Sequence, residues 1–174
     1  MAQFINCRWW PNFWRSGDGA SILEFTIAFP FLLVLALGTF EFGRGMHHHH
    51  IAGKAVRDAG RYLARVQATC PPGASGTNTG TITNAADITT ARNLALTGET
   101  SGGTNVLSYW TNPGSVAVEV DCFDNTLGDF RGQQSVPTIR VRATLAYQDL
   151  GFLTLLGLSA VSFVIDHEEL HIGE

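Results

Sequence analysis

The chain has 174 residues, a formal net charge of −4 and 15% charged residues. That length fits one modest domain plus a membrane anchor and is too short for two full domains of roughly 100–150 residues each. The basic residues are not massed in a tract, which argues against a nucleic-acid partner.

Residues 1–18 carry Arg8, Arg15, Asp18 and three of the four tryptophans, Trp9, Trp10 and Trp14. No apolar core of signal-peptide length precedes the first long apolar run, so residues 1–19 read as a leader rather than a secretory signal. The tryptophans suit the headgroup region of a bilayer, or belong to an unstructured tail. No charge occurs from Phe25 to Phe40, and the run approaches the roughly 20 residues that cross a bilayer as a helix. Residues 20–43 are therefore expected to form one transmembrane helix, bent at Pro30 and bracketed by Glu24 and Glu41. Glu41 and Arg44, three apart, are placed to pair as an interfacial ion pair ending the span. Loop charge alone would put the C-terminal side in the cytoplasm, because Arg44, Lys54, Arg57, Arg61 and Arg65 follow the span while only Arg8 and Arg15 precede it.

Residues 44–69 read as an amphipathic helix. At about 100° per residue Ile51, Ala55, Ala59, Tyr62, Leu63 and Val66 share one side, and Lys54, Arg57, Arg61 and Arg65 form a separate stripe. Cys70-Pro71-Pro72-Gly73 breaks it. The Gly/Thr/Ser/Asn-rich segment near 71–84 is expected to be a flexible surface loop. A short helix follows over Asp87–Leu96, closed by Gly98. The period then changes to two: Val116, Val118 and Val120 mark one strand, Ile139, Val141, Ala143 and Leu145 a second, Phe163 and Ile165 a third. The fold class is thus α+β, with residues 70–174 forming a small domain around an antiparallel sheet. The uncharged stretch from Leu150 to Ala160 is too short to span comfortably; it either rests on the membrane surface, the preferred reading, or plugs the sheet.

A glycine, four small or apolar residues, then Glu24 and Phe25 at the start of an apolar helix resemble the processing site of type IV prepilin-like proteins. The stretches Leu23-Glu24-Phe25-Thr26-Ile27-Ala28-Phe29-Pro30, Phe40-Glu41-Phe42-Gly43-Arg44, Ala55-Val56-Arg57-Asp58-Ala59-Gly60-Arg61-Tyr62 and Ala91-Arg92-Asn93-Leu94-Ala95 are similar to the TadE-like family of minor pseudopilins. The resemblance covers most of residues 19–98. It implies cleavage by a prepilin peptidase between Gly19 and Ala20, with Ala20 the new N-terminus and Glu24 and Phe25 acting in assembly. It further implies a place in the bacterial inner membrane and a part, with other Tad/Flp pilus subunits and assembly proteins, in building fimbriae for adhesion and biofilm formation. Major Flp pilins place Tyr after the glutamate, where this chain has Phe25. A carboxylate at the centre of a bilayer helix costs about 2.5–3.5 kcal/mol, so Glu24 gains by meeting a cation, and the freed ammonium of Ala20 on the same or a neighbouring subunit is the nearest. The alternative is a Glu24 that merely reaches the headgroups. Since the processing site needs its leader in the cytoplasm, the C-terminal domain is expected outside it, against the count of loop charges. Of the three cysteines, Cys7 would leave with the leader. Cys70 and Cys122 would remain in an oxidising compartment, either bridged or as two thiols. Subunits or partners are expected to pack along the helix from Ala20 to Val66.

His167-Glu168-Glu169-Leu170-His171 matches the H-E-x-x-H pattern, in which two histidines on a helix hold zinc and the glutamate acts as base. Here it follows the strand-like run Ser162-Phe163-Val164-Ile165-Asp166, and in a strand residues four apart are separated by about 13 Å. A membrane-anchored zinc hydrolase using His167, Glu168 and His171 is thus the rival reading, and a generic unprocessed envelope protein a third. The run His47-His48-His49-His50 reads as a solvated or interfacial segment within the helix. No cofactor is expected, and the chain is read as a non-enzyme.

Overall fold

The computed structural model describes residues 18–128, 134–155, 157 and 161–172. Most of the expected leader, with Cys7 and its three tryptophans, lies outside them, as does part of the Leu150–Ala160 stretch. The chain divides into two compact units, Met1–Phe42 and Gly43–Glu174.

One helix, α1 (Asp18–Leu63), contributes to both units. In the first unit its apolar side chains are exposed almost without exception, among them Phe25, Phe31, Leu35 and Phe42. Two hydroxyls in this segment are satisfied within the helix: Thr26 Oγ1 donates to the Ile22 carbonyl at 2.7 Å and Thr39 Oγ1 to that of Leu35 at 2.8 Å. Such back-bonding suits an environment without water. Pro30 lies inside the helix and has no N–H to give to the preceding turn.

In the second unit, the rest of α1 covers one face of a three-stranded antiparallel sheet ordered β3 (Val116–Asp124), β4 (Ser135–Ala146), β5 (Ser162–Leu170). The register pairs Val118 with Val141 and Val141 with His167. Because strand side chains alternate, Val116, Val120, Ile139, Val141, Ala143, Leu145 and Ile165 form the inner face, and they share one core with Ala52, Val56, Ala59 and Leu63 of α1. A second helix, α2 (Ala85–Thr97), adds Ala91, Ala95 and Leu96 to that core. Asn84 caps its N-terminus, the side chain accepting from the Ala86 N–H, and Gly98 closes it in the left-handed region at φ 76°. The Tyr62 hydroxyl joins the helices, donating to Asp87 Oδ1 at 3.0 Å. Burial, then this bond, pushes the phenol above the usual tyrosine range. The result is a two-layer α+β domain, helices on one face of the sheet.

The amphipathic helix expected over 44–69 ends earlier, at Leu63. Its last turn tightens: Arg65 N–H donates to the Tyr62 carbonyl and Val66 N–H to that of Leu63. The chain is then taken by a short ladder, β1 (Ala68–Thr69) against β2 (Thr81–Ile82). The buried face is the expected one in part: Ala55, Ala59 and Leu63 are buried. Ala52 and Val56 are fully buried, whereas Ile51, Tyr62 and Val66 are only half-buried at its margins. Close approach to the sheet favours small residues along the centre, and at Gly60 an added Cβ would stand 3.1 Å from His167 Cδ2.

The segment near 71–84, expected to be flexible, is stitched along the outer edge of β3. Gly76 pairs with Cys122, Gly80 N–H donates to the Val120 carbonyl at 2.9 Å, and Asn78 N–H to Asp121 Oδ1 at 2.7 Å. Its glycines and short polar residues supply the backbone freedom and local bonds that let it follow the strand, and so cover an otherwise open edge. A Cβ at Gly80 would lie 2.6 Å from Val120 Cγ1 and 3.0 Å from the Thr69 carbonyl oxygen. Gly80→Ala should therefore destabilise the domain by about 1–3 kcal/mol, as overpacking does, read as a lower midpoint in guanidinium unfolding.

Between β4 and β5 the chain forms a short helical turn, α3 (Phe152–Leu155), whose N–H groups at Leu153 and Thr154 bond Asp149 Oδ2 at 3.0 and 3.2 Å. Tyr147 N–H donates to the Val161 carbonyl, closing the hairpin.

Candidate functional site

Gly19 and Ala20 fall in the first turn of α1, Ala20 exposed. The first N–H groups of a helix have no intrahelical acceptor, so this turn opens at the smallest cost. Glu24 follows on the same helix, exposed among the apolar side chains of Ile22, Leu23, Phe25 and Ile27. Phe25 lies against Phe29, ring centroids 5.5 Å apart. At the far end of the apolar segment Glu41 is buried. Arg44 Nη1 donates to the Gln148 carbonyl at 3.2 Å, and its guanidinium lies 5.7 Å from the centre of the Tyr147 ring.

A set of rings gathers at the Gly43 end of the second unit. The His48 ring lies 5.5 Å from Tyr109 and 5.7 Å from Tyr147, with the Tyr109 hydroxyl 3.1 Å from its Nδ1. His49 meets Phe163 edge-on, and Tyr147 meets Phe163 at 5.4 Å. Burial pushes the Tyr109 phenol up, the charge of Arg44 opposing it. His47, His49 and His50 are exposed, as a solvated or interfacial run requires, while His48 is half-buried against Tyr109 and Tyr147. Tyr109 and Tyr147 were not singled out by sequence: Tyr109 stands in a segment without periodicity, and Tyr147 extends the alternation of β4 one step beyond Leu145. Lys54, Arg57, Arg61 and Arg65 are all exposed, the stripe expected of them.

The sulfurs of Cys70 and Cys122 are bonded, tying the start of the edge segment to β3. His167, Glu168 and Glu169 lie within β5, and His171 just beyond it. Alternation turns His167 and Glu169 toward one face and Glu168 toward the other. His167 Nε2 contacts Glu169 Oε2 at 2.7 Å, His171 Nε2 contacts the Val66 carbonyl at 2.7 Å, and Glu168 pairs with Arg140. The hydrogen bond that Arg140 donates to Glu168, with Asp121 adding its charge, holds the Arg140 guanidinium above its ordinary range. The helix that would aim both histidines at one zinc is replaced by a strand, and among the described residues no group of three His, Cys, Asp or Glu side chains comes together to hold a metal.

Helix α1 is long and apolar enough to cross a membrane, with a mean hydropathy of 2.2 over its best 18-residue window and no burial of that window. The molecule is of the class that joins such a helix to an α+β domain. Residues 19–61 match the family model described as TadE-like protein, a match that begins at Gly19 and takes in nearly all of α1. No curated protein and no solved structure matches the chain.

Proposed function

We propose that this protein is a minor pseudopilin of the tight-adherence type, cut after Gly19 by a prepilin peptidase and working by assembly rather than catalysis. The observation that carries the reading is the coincidence, on one helix, of the TadE-like match from residue 19 with an exposed apolar segment that opens on a single carboxylate, Glu24. Residues 1–19 are the cytoplasmic leader, residues 20–43 cross the inner membrane, and the remainder lies on the extracytoplasmic side, where the Cys70–Cys122 bond is stable. Neighbouring pilus subunits and assembly proteins pack on the segment from Ile22 to Phe42. The packing first expected to extend to Val66 stops short of that, because the face of α1 from Ala52 to Leu63 is occupied by the chain's own sheet. After cleavage the Ala20 ammonium and the Glu24 carboxylate of adjacent subunits neutralise one another in low dielectric, which fixes register between helices.

The test is the N-terminal sequence and intact mass of the protein recovered from membranes with and without a prepilin peptidase. A peptidase-dependent start at Ala20 is expected; an intact Met1 chain under both conditions overturns the reading. Glu168→Gln separates this function from zinc hydrolysis. It should leave processing and pilus formation unchanged, with only the loss of the exposed pair to Arg140, whereas a hydrolase would fall silent.

A further inference from the structure

We propose that the tip of the β4–β5 hairpin, through Leu150, Phe152, Leu153 and Val161, is a second membrane contact that seats the domain in the headgroup region of the bilayer. The inference rests on the reading of the apolar segment of α1 as a membrane span. Within the second unit the sense of the elements is fixed by contacts at both ends. Near residue 45 of α1, a Cβ on Gly45 would stand 3.7 Å from Phe163 and 3.8 Å from Tyr147. Toward the end of α1, the Ala64 carbonyl accepts from Ile172 N–H at 3.0 Å and the Val66 carbonyl meets His171. Strand β5 therefore runs alongside α1 in the same direction, and the β4–β5 connection lies at the Gly43 end of the domain. Phe42, the residue before Gly43, is the last of the exposed apolar segment. The hairpin tip is thus at the end of the domain from which the chain enters lipid.

Its chemistry suits that place. No charged residue occurs from Leu150 to Ile165. Leu150 is 63% exposed and Val161 44%, apolar surface left uncovered by the described residues. The nearest acid, Asp149, is turned onto the backbone of its own turn, accepting from Leu153 and Thr154 N–H. That arrangement satisfies polar groups internally, the condition for entering an apolar phase. Behind the tip stand Arg44, His48, Tyr109 and Tyr147, side chains with an apolar body and a polar end of the kind that collects at headgroup level. A tip of this sort lies in the interface plane rather than crossing the bilayer. The occupant is lipid, because the tip lies at the end of the domain where the chain continues, at Gly43, into the apolar segment.

Full-length protein in a Cys7→Ser background, with the Cys70–Cys122 bond intact, is given one new cysteine at a time: Leu150→Cys, Leu33→Cys or Leu127→Cys. Each is labelled with an environment-sensitive fluorophore and reconstituted into phosphatidylethanolamine–phosphatidylglycerol vesicles containing a lipid with a nitroxide near the headgroup end of its acyl chain. Leu127, 90% exposed on the other hairpin of the sheet, is the solvent reference. The label at position 150 should shift to the blue and lose most of its emission to the nitroxide, while that at 127 keeps its emission. Quenching at 33 with none at 150 overturns the inference and leaves the membrane span standing. A blue shift at 150 without quenching assigns the tip to another protein surface and also overturns it. No quenching at 33 removes the span, and the inference with it.

Discussion

Removing the Cys70–Cys122 bond by the paired substitutions Cys70→Ser and Cys122→Ser should lower the unfolding free energy of the domain by about 4 kcal/mol, from the chain entropy released by opening the loop. The two residues are 52 apart in sequence, and the loop they close holds the edge segment, β2, α2 and most of β3. Without the bond, the segment that covers the β3 edge is held by its hydrogen bonds at Gly76, Asn78 and Gly80 and by the β1–β2 ladder that flanks it. The measurement is guanidinium unfolding of the detergent-solubilised protein, followed by near-ultraviolet circular dichroism. Adding a thiol reductant should shift the wild-type curve to that of the variant and leave the variant unmoved; coincident curves without reductant would show that the bond contributes nothing. Gly80→Ala should not add to it in full, since the new Cβ would stand 3.0 Å from Cys122 Sγ, and contacting sites couple.

Leu63→Ala should cost about 2–5 kcal/mol, the range for emptying a buried leucine site that relaxes only partly. Leu63 is fully buried at the C-terminal end of α1 and is among the largest side chains of the core. Its neighbours come from a helix and a sheet that are tied together just beyond it, by the bonds of Ala64 and Val66 to Ile172 and His171, so little collapse into the cavity is available. Because the changed atoms are far along α1 from Gly19, cleavage between Gly19 and Ala20 should proceed in the variant. A loss of folded domain with normal processing, read by intact mass beside the unfolding curve, is the expected pair of results; an unchanged unfolding midpoint would refute the assignment of Leu63 to the core.

The elements with a period were legible in the sequence. The valines at 116, 118 and 120 and the alternating residues from 139 to 145 define strands because one sheet face is buried and the other is wet, and the uncharged run after Glu24 defines a helix by length alone. What escaped was set by contacts that leave no period. Residues 76–80 follow β3 through backbone bonds, which polar loop residues make as readily as apolar ones. Of the face assigned to α1, Ala55, Ala59 and Leu63 are buried, while Ile51, Tyr62 and Val66 stand at its margins and close packing on the sheet adds Ala52, Val56 and Gly60. The end of that helix was placed at the Cys70-Pro71-Pro72 breaker, although the tightened turn after Leu63 and the β1 pairing stop it sooner. In the candidate site, the spacing of Gly19, Glu24 and the apolar helix was visible because it is local. The ring cluster of His48, Tyr109, Tyr147 and Phe163 was not, since its members come from four separate parts of the chain. The zinc-like motif was legible as a strand only through the residues preceding it.

The contact of His171 with Val66 joins positions 105 residues apart, and this sets the order in which the domain can form. During synthesis α1 emerges first, and its inner face, from Ala52 to Leu63, stays uncovered until β4 and β5 follow. High sequence separation between partners slows folding and leaves apolar surface open to wrong associations in the interval. Completion of the core waits on the last strand, so a chain halted before β5 carries an adhesive helix face and two of the three strands, and quality control will meet that species whenever elongation stalls.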